Sequence, residues 1–304
     1  MEIPKNEFEK VSDKEKQSEA IVRPNMSYWQ DVWRRLKLNK LAMAGLIFVI
    51  FITLLAVFGP MFSKYNYYSQ DLNMANLSPS SAHWFGTDKF GRDIFIRVLY
   101  GARISLTVGY VASLLNIIIG IVYGGIAGYF GGKVDNIMMR IVDILYSIPM
   151  TIYVILFMVV FGAGLKSIII ALAVAFWLTM ARIVRGEIMS LKQQEFVLAA
   201  KTLGASSTRI LLKHLIPNCM GPIIVTLTLS VPDAIFTESF LSFIGLGVSA
   251  PMASWGTLAS DALDGFQLYP LQLFFPSIAI CLTMLAFNLL GDGLRDSLDP
   301  KMKK

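Results

Sequence analysis

Charge is scarce in this chain. Asp, Glu, Lys and Arg together make 16% of 304 residues, against about 25% in an ordinary soluble domain. Hydrophobic residues make 55%, so the composition excludes a soluble globular protein and predicts an integral membrane protein. Cysteine is almost absent: Cys219 sits at the edge of one apolar run and Cys281 inside another. Neither a disulfide framework nor a metal site is suggested, and both read as small buried apolar residues. The two histidines, His83 and His214, fall on opposite sides of the membrane in the topology derived below. No Ser/His catalytic site can use both, and no G-x-S-x-G elbow occurs. A phosphate loop of the form G-x-x-x-x-G-K followed by Ser or Thr is also missing, so the chain cannot bind ATP through a P-loop and needs a partner for energy. Catalytic residues, metal ligands and a bound cofactor are therefore not expected. The formal charge of +6 comes from basic residues flanking the apolar runs, which suits anionic lipid headgroups and not nucleic acid. No secretory signal is visible, because a long charged tail precedes the first apolar run.

Apolar segments dominate what remains, each judged against the ~20 helical residues needed to cross ~30 Å of hydrocarbon. Six are predicted to span: Leu41 to Phe62, Ile104 to Phe130, about Ile144 to Leu165, Ser167 to Ala181 with an extension past Arg182, Met220 to Leu246, and Pro270 to Gly291. Pro149, Pro232 and Pro276 should kink their helices. The predicted fold is an all-α polytopic membrane protein with six transmembrane helices, whose two termini lie on one side. With the N-terminus inside, the outer segments hold only Lys64, Lys89, Arg92, Arg97, Arg103 and Lys166 of the 27 basic residues. The bias places both termini in the cytoplasm.

In domain terms, residues 1–40 form a cytoplasmic tail, 41–62 the first span, 63–103 an outer loop, and 104–300 a five-span core whose inner loop covers 184–218. Residues 1–26 are polar and without apolar periodicity, the pattern of a flexible tail. Then Tyr28, Trp29, Val32, Trp33 and Leu36 recur at helical spacing, with Arg34, Arg35 and Lys37 between them. That is an amphipathic helix, either lying in the membrane interface or packed on the protein's own spans.

Three features break the apolar background. Gly120, Gly124 and Gly128 are spaced four apart in the second span, so one face can receive another helix against its backbone. Asp233 and Glu238 lie inside the fifth span beside Pro232. They either line a substrate path or satisfy backbone groups freed by a helix break. Between spans two and three a short inner turn places Arg140 and Asp143 at i and i+3, close enough to pair.

The inner stretch from Glu195 to Asn218, EFVLAAKTLGASSTRILLKHLIPN, reads as helix, turn, helix. Ala199 and Ala200 sit in a helix-forming run, Gly204 permits a φ > 0 turn, Ser206 and Ser207 can cap a second helix, and Pro217 stops it. This is the shape of a docking handle. Its spacing resembles the EAA loop of bacterial ABC-importer permeases, with Ala199, Ala200, Gly204 and Pro217 in register. Leu198 stands where that family has Glu, and Glu195 lies one turn earlier.

Further matches run to the C-terminus. The outer run FGTDKFGRDIFIRVLYGARISL resembles a signature of peptide-type permeases at Gly86, Thr87, Asp88, Gly91, Arg92, Asp93, Gly101, Ala102 and Arg103. There, Thr87 and Asp88 suit a turn and Asp93 the first turn of a helix through Tyr100, either as plain capping or as contact with a partner or substrate. ESFLSFIGLG from Glu238, SWGTLASDA from Ser254 and GDGLRDSLDPK from Gly291 continue the likeness. The chain is similar to the C-type permease subunit of an oligopeptide or dipeptide ABC importer, and this implies the type I importer permease fold. A second related permease, two ATPase subunits and an outer peptide-binding protein would complete the machine in a bacterial plasma membrane. A nickel or metal-chelate permease of the same family and a proton-coupled secondary transporter using Asp233 and Glu238 are the alternatives.

Overall fold

A computed structural model describes residues 27–299, so the expected flexible tail and the last residues of the C-terminal motif lie outside the described residues. Among the described residues the architecture is helical, with one isolated bridge between Thr87 and Asp93. Five helices are long and apolar enough to cross a membrane, and a sharply bent pair brings the number to six.

Helix α1, Tyr28–Leu38, starts at a capping box in which Ser27 accepts from the Gln30 amide and Gln30 reaches back, satisfying two otherwise orphaned amides. It buries Val32 and Leu36 and leaves Tyr28, Trp29 and Trp33 about half exposed. The helix thus packs one face on the bundle, as one of the two expected placements has it, and presents its aromatic face outward. The Arg35 guanidinium, 2.6 Å from Asp31, holds that carboxyl below its usual range. Asn39 then closes α1 and caps the next helix, α2, Lys40–Phe62, by accepting from the Ala42 amide. α2 is the peripheral span: Ile47, Ile50, Phe51, Leu54 and Phe58 remain exposed, as a lipid-facing surface requires.

Helix α3, Ile94–Phe130, is 37 residues long and begins ten residues before the expected second span at Ile104. The difference arises because Arg97 and Arg103 obscured the helix in the sequence. Arg97 is buried through ion pairs, and Arg103 donates to the Ala56 and Val57 carbonyls of α2 at 3.1 and 2.8 Å. α3 lies against α6, Leu165–Leu191, along the glycine stripe. A Cβ added at Gly120 would strike Met180, at Gly124 the Ala181 carbonyl, and at Gly128 the Arg185 carbonyl 2.8 Å away. The stripe is a backbone-to-backbone packing seam.

The expected third span is not one helix. α4, Gly132–Tyr146, and α5, Met150–Phe161, meet at an 84° bend. Pro149 lacks an N–H and cannot continue α4. The new direction is held by Ser147 Oγ and the Tyr153 hydroxyl, which donate to the Ile144 and Leu145 carbonyls at 2.7 and 2.8 Å. The expected inner turn is the first part of α4, and the expected pairing of Arg140 with Asp143 is not formed. Asp143 instead accepts from Arg182 of α6 at 2.8 Å, while Asp135 binds Arg185 of α6 through both carboxylate oxygens. The fourth span extends ten residues past Ala181, ending at Leu191.

Helix α7, Glu195–Thr202, and α8, Ser207–Ile210, form a hairpin that leads through a π-helical turn, Leu211–Leu215, into α9, Met220–Phe243. α10, Trp255–Ala262, covers the other end of the bundle, and α11, Pro270–Leu298, returns between α2 and α9. α9 and α11 stay helical through Pro232 and Pro276. The bundle therefore has an α7 end, where α11 finishes beside Gly221, and an α10 end, where α3 begins.

Candidate functional site: the 195–218 loop, the α10 end and the cavity at Asp233

The loop is anchored from beneath. Lys192, following α6, donates to the Tyr129 carbonyl at the end of α3, and Val197 of α7 is buried with Ile188, Ile210, Leu215 and Cys219. Gly204, at φ +79°, ends α7 in a Schellman motif, its amide donating to the Lys201 carbonyl at 2.9 Å and the Ala205 amide to the Ala200 carbonyl at 3.0 Å. That geometry places the Ala200 and Ala205 side chains together against the core. Ala199 and Ala200 consequently do not share an outer face: Ala199 is exposed and Ala200 turns inward. Ser206 caps α8 by accepting from the Arg209 amide at 3.4 Å.

Pro217, expected as a stop, lies inside a helical turn, Ile216–Asn218. The preceding π-turn widens the backbone, which relieves the clash a proline makes with the carbonyl four residues back. Asn218 Nδ2 donates to the His214 carbonyl at 2.5 Å, so the chain passes almost unbroken into α9. Outward the hairpin presents Glu195, Leu198, Ala199, Leu203 and Leu212, and Leu203 is 86% exposed.

At the α10 end, Asp88 accepts from the Phe90 and Arg92 amides at 2.9 and 3.0 Å, from Arg92 Nε at 2.7 Å and from Arg97 Nη1 at 2.5 Å. Both arginines also reach Asp261, the penultimate residue of α10, at 3.3 and 3.4 Å. Asp93 is the N-cap of α3, one residue before its first turn. It accepts from the Ile96 amide at 2.9 Å, and its other oxygen contacts His83 Nδ1 at 2.8 Å. Asp88, Arg92 and Asp93 are all buried, so in this chain they fasten the segment before α3 to α3 and α10.

Asp233 and Glu238 part company. Five residues along a helix turn a side chain by roughly 140°, and Glu238 enters the packed interior while Asp233 faces outward. Glu238 is fully buried; it accepts from Ser242 and Ser105 at 2.7 Å and from Ser239 at 3.4 Å. Ser105 also accepts from the Trp255 amide at 3.4 Å, so the carboxyl ties α3, α9 and α10 together. Asp233, by contrast, lines a cavity of about 650 Å³ with Asn116, Tyr146, Tyr153, Thr179 and Ser230. At about 1.5 Å per residue Asp233, Asn116, Tyr146 and Thr179 all lie roughly 20 Å from the α7 end, inside the hydrocarbon depth. The α4–α5 bend opens onto this cavity through Pro149 and Met150, which fits the rule that non-helical backbone at such depth is covered by protein or faces a cavity. Asn116 is buried, and its side-chain oxygen has no hydrogen-bond partner. Sequence reasoning passed over it, although a lone amide in the apolar run SLLNIIIG is itself a signal.

A helical bundle with a capped end, an open hairpin and a mid-depth cavity, mostly apolar with a few polar side chains, is the build of a transport permease. The chain belongs to the family of binding-protein-dependent transport system inner membrane components, whose family model matches residues 120–304. A second model, the N-terminal TM domain of oligopeptide transport permease C, matches residues 27–79. The chain is 54% identical over 302 residues to the oligopeptide transport system permease protein OppC of Bacillus subtilis (strain 168), covering 99% of each chain. To the dipeptide transport system permease protein DppC of the same organism it is 53% identical, covering 100% of this chain and 95% of that one. The OppC protein of Escherichia coli (strain K12) is 44% identical over 93% of this chain and 95% of its own. Among solved structures, an inward-facing MetNI methionine ABC transporter chain superposes with a TM-score of 0.57 over 68% of this chain and 98% of its own, at 18% identity. The fold is thus that of an ABC importer permease, and the family sets aside the secondary-transporter alternative.

Proposed function

We propose that this chain forms one half of the pore of an importer that moves oligopeptides or dipeptides into a bacterial cell, paired with a second, related permease. Two ATPase subunits supply the energy by hydrolysing ATP, and an outer binding protein delivers the peptide. No cofactor is assigned to this chain. The termini and the 195–218 hairpin face the cytoplasm, and the α10 end faces outward, where the binding protein docks. The peptide cargo rests on the names of the relatives, which are oligopeptide and dipeptide permeases.

The observation that carries the coupling role is the hairpin's exposed face. Leu198, Leu203 and Leu212 are 51%, 86% and 59% exposed on a segment flanked by spans and anchored from below, and large apolar side chains bared there suit a partner surface. Glu195 in the first turn of α7 is favourably placed against the helix dipole, and Ala199 leaves room for close approach. The test is Leu203→Asp combined with Leu198→Asp in the importer expressed with its partner subunits. Insertion and pairing with the second permease should persist, while recovery of the ATPase subunits and peptide uptake fall at least about tenfold, since interface anchors of this kind are each worth about 1–2 kcal/mol or more. Normal ATPase recovery with normal stimulation of hydrolysis would reduce the segment to a connecting loop.

A further inference from the structure

The cavity at Asp233 has a lopsided chemistry. Asp233 is its one carboxylate, and no Lys, Arg or His is among its lining residues. Among the described residues the Asp233 side chain has no ion pair or hydrogen bond; only its backbone carbonyl is engaged, by Thr237 Oγ1 at 2.7 Å. Asn116, in the same lining, is 3% exposed with its side-chain oxygen unpartnered. A carboxylate and an unpaired amide oxygen at one depth of a membrane protein are each costly to leave alone. The chain's buried carboxylates are paired within it, Asp88 with two arginines, Asp135 with Arg185 and Glu238 with three serine hydroxyls, whereas Asp233 is exposed on the cavity wall. The two acceptors at the cavity therefore stand out as groups awaiting a donor from outside the chain.

We infer that Asp233 and Asn116 receive a primary ammonium group of the passing peptide, and that this ammonium is the free N-terminus. An ammonium offers three donors and no acceptor, which matches two acceptors in a lining that holds no Lys, Arg or His. Tyr153 and Phe176, also in the lining, add aromatic rings of the kind that attract a cation, whereas the Tyr146 ring already carries Arg182 at 4.5 Å. A volume of about 650 Å³ is within the usual range of ligand pockets. This reading rests on the peptide-importer function proposed above and adds to it a point inside the pore that senses one end of the cargo.

The test uses the complete importer in proteoliposomes with its binding protein. Uptake is compared for a tripeptide with a free N-terminus, its N-acetyl form, and an N-acetyl form carrying a Lys side chain, at concentrations that load the binding protein equally. Asp233→Asn should lower uptake of the free tripeptide by about tenfold or more, the scale of losing one hydrogen bond to a charged group. Uptake of the N-acetyl peptide should be unchanged relative to wild type. Asp233→Glu should retain transport, and Asn116→Asp added to Asp233→Asn should recover part of it by restoring a carboxylate to the same cavity. ATP hydrolysis stimulated by loaded binding protein should persist in every variant, which separates this idea from the function beneath it. An equal fall for free and acetylated peptides overturns the assignment, as does no fall for either. If sensitivity to Asp233 follows the Lys side chain in the acetylated peptide, the terminal amine is not the group recognised. Wild-type importer that moves none of the three would sink the peptide reading itself.

Discussion

The two ends of the bundle are built on opposite principles. At the α10 end buried carboxylates are answered from within the chain and, of the buried arginine donors, only Arg97 Nε lacks a partner: Asp88 takes two arginines and two amides, Asp93 caps α3 and meets His83, and Trp255 is fully buried with its indole N–H donating to the Val98 carbonyl at 3.0 Å. At the α7 end the hairpin holds on through Val197 and the Lys192 contact, and it presents leucines to solvent. One end is self-sufficient and the other is incomplete. Where a fold satisfies its own valences, substitution should act on stability; where it leaves apolar surface bare, substitution should act on assembly.

The largest effect is expected at Asp88. Asp88→Asn leaves Arg92 and Arg97 buried with only the partly exposed Asp261 as counter-charge, and removing one partner of a buried pair costs about 3–5 kcal/mol. The protein should fail to accumulate in the membrane, measured by immunoblot of membrane fractions. Normal abundance would mean that the α10 end is not the stabilising one. Next comes Gly204→Val. A residue with a Cβ pays about 1–2 kcal/mol in the left-handed region, and nothing lies within 4 Å of the added atom, so the penalty stays in the turn. Accumulation should be near normal while stimulated ATP hydrolysis falls severalfold. If abundance and hydrolysis drop together, the hairpin is part of the folding core and the contrast between the ends fails.

The smallest effect sharpens the α10 end by pH. Lys89 lies 2.7 Å from Asp264 and holds that carboxyl below its ordinary value of 3.8. A depressed folded value means that the pair contributes fully above the ordinary value and loses its contribution as pH falls through the folded one. Asp264→Asn should therefore leave thermal melting of the detergent-solubilised protein unchanged at low pH and lower it slightly at neutral pH. Both charges are exposed, so the shift should shrink in high salt. A shift that grows as pH falls would have the wrong sign for this pair.

Much of this contrast was legible in the residues. The glycine spacing at 120, 124 and 128 announced a packing seam, and Gly204 announced a left-handed turn, because each signal depends on local geometry alone. Other features depend on residues far apart in the chain. Nothing near Asp143 indicates that Arg182 is its partner and not Arg140, and Pro149 signals an interruption without fixing a bend of 84°. Glu238 and Asp233 look alike as acids within one span, and only the rotation between them, with the serines contributed by α3 and α9, separates a buried knot from a cavity wall. Pro217 misled because its cost is cancelled by a π-turn, a compensation that leaves no pattern in the sequence.

Helix α3 joins the two ends as a single piece of 37 residues, which at about 1.5 Å per residue is roughly 55 Å, well beyond the ~30 Å of hydrocarbon. Unlike α4 and α5 it has no break, and unlike α9 and α11 it has no internal proline. One continuous helix therefore carries, at its two extremities, the Tyr129 carbonyl that Lys192 binds beneath the hairpin and the Asp93 cap beside the arginine cluster, so the two ends of the membrane domain share one covalent axis.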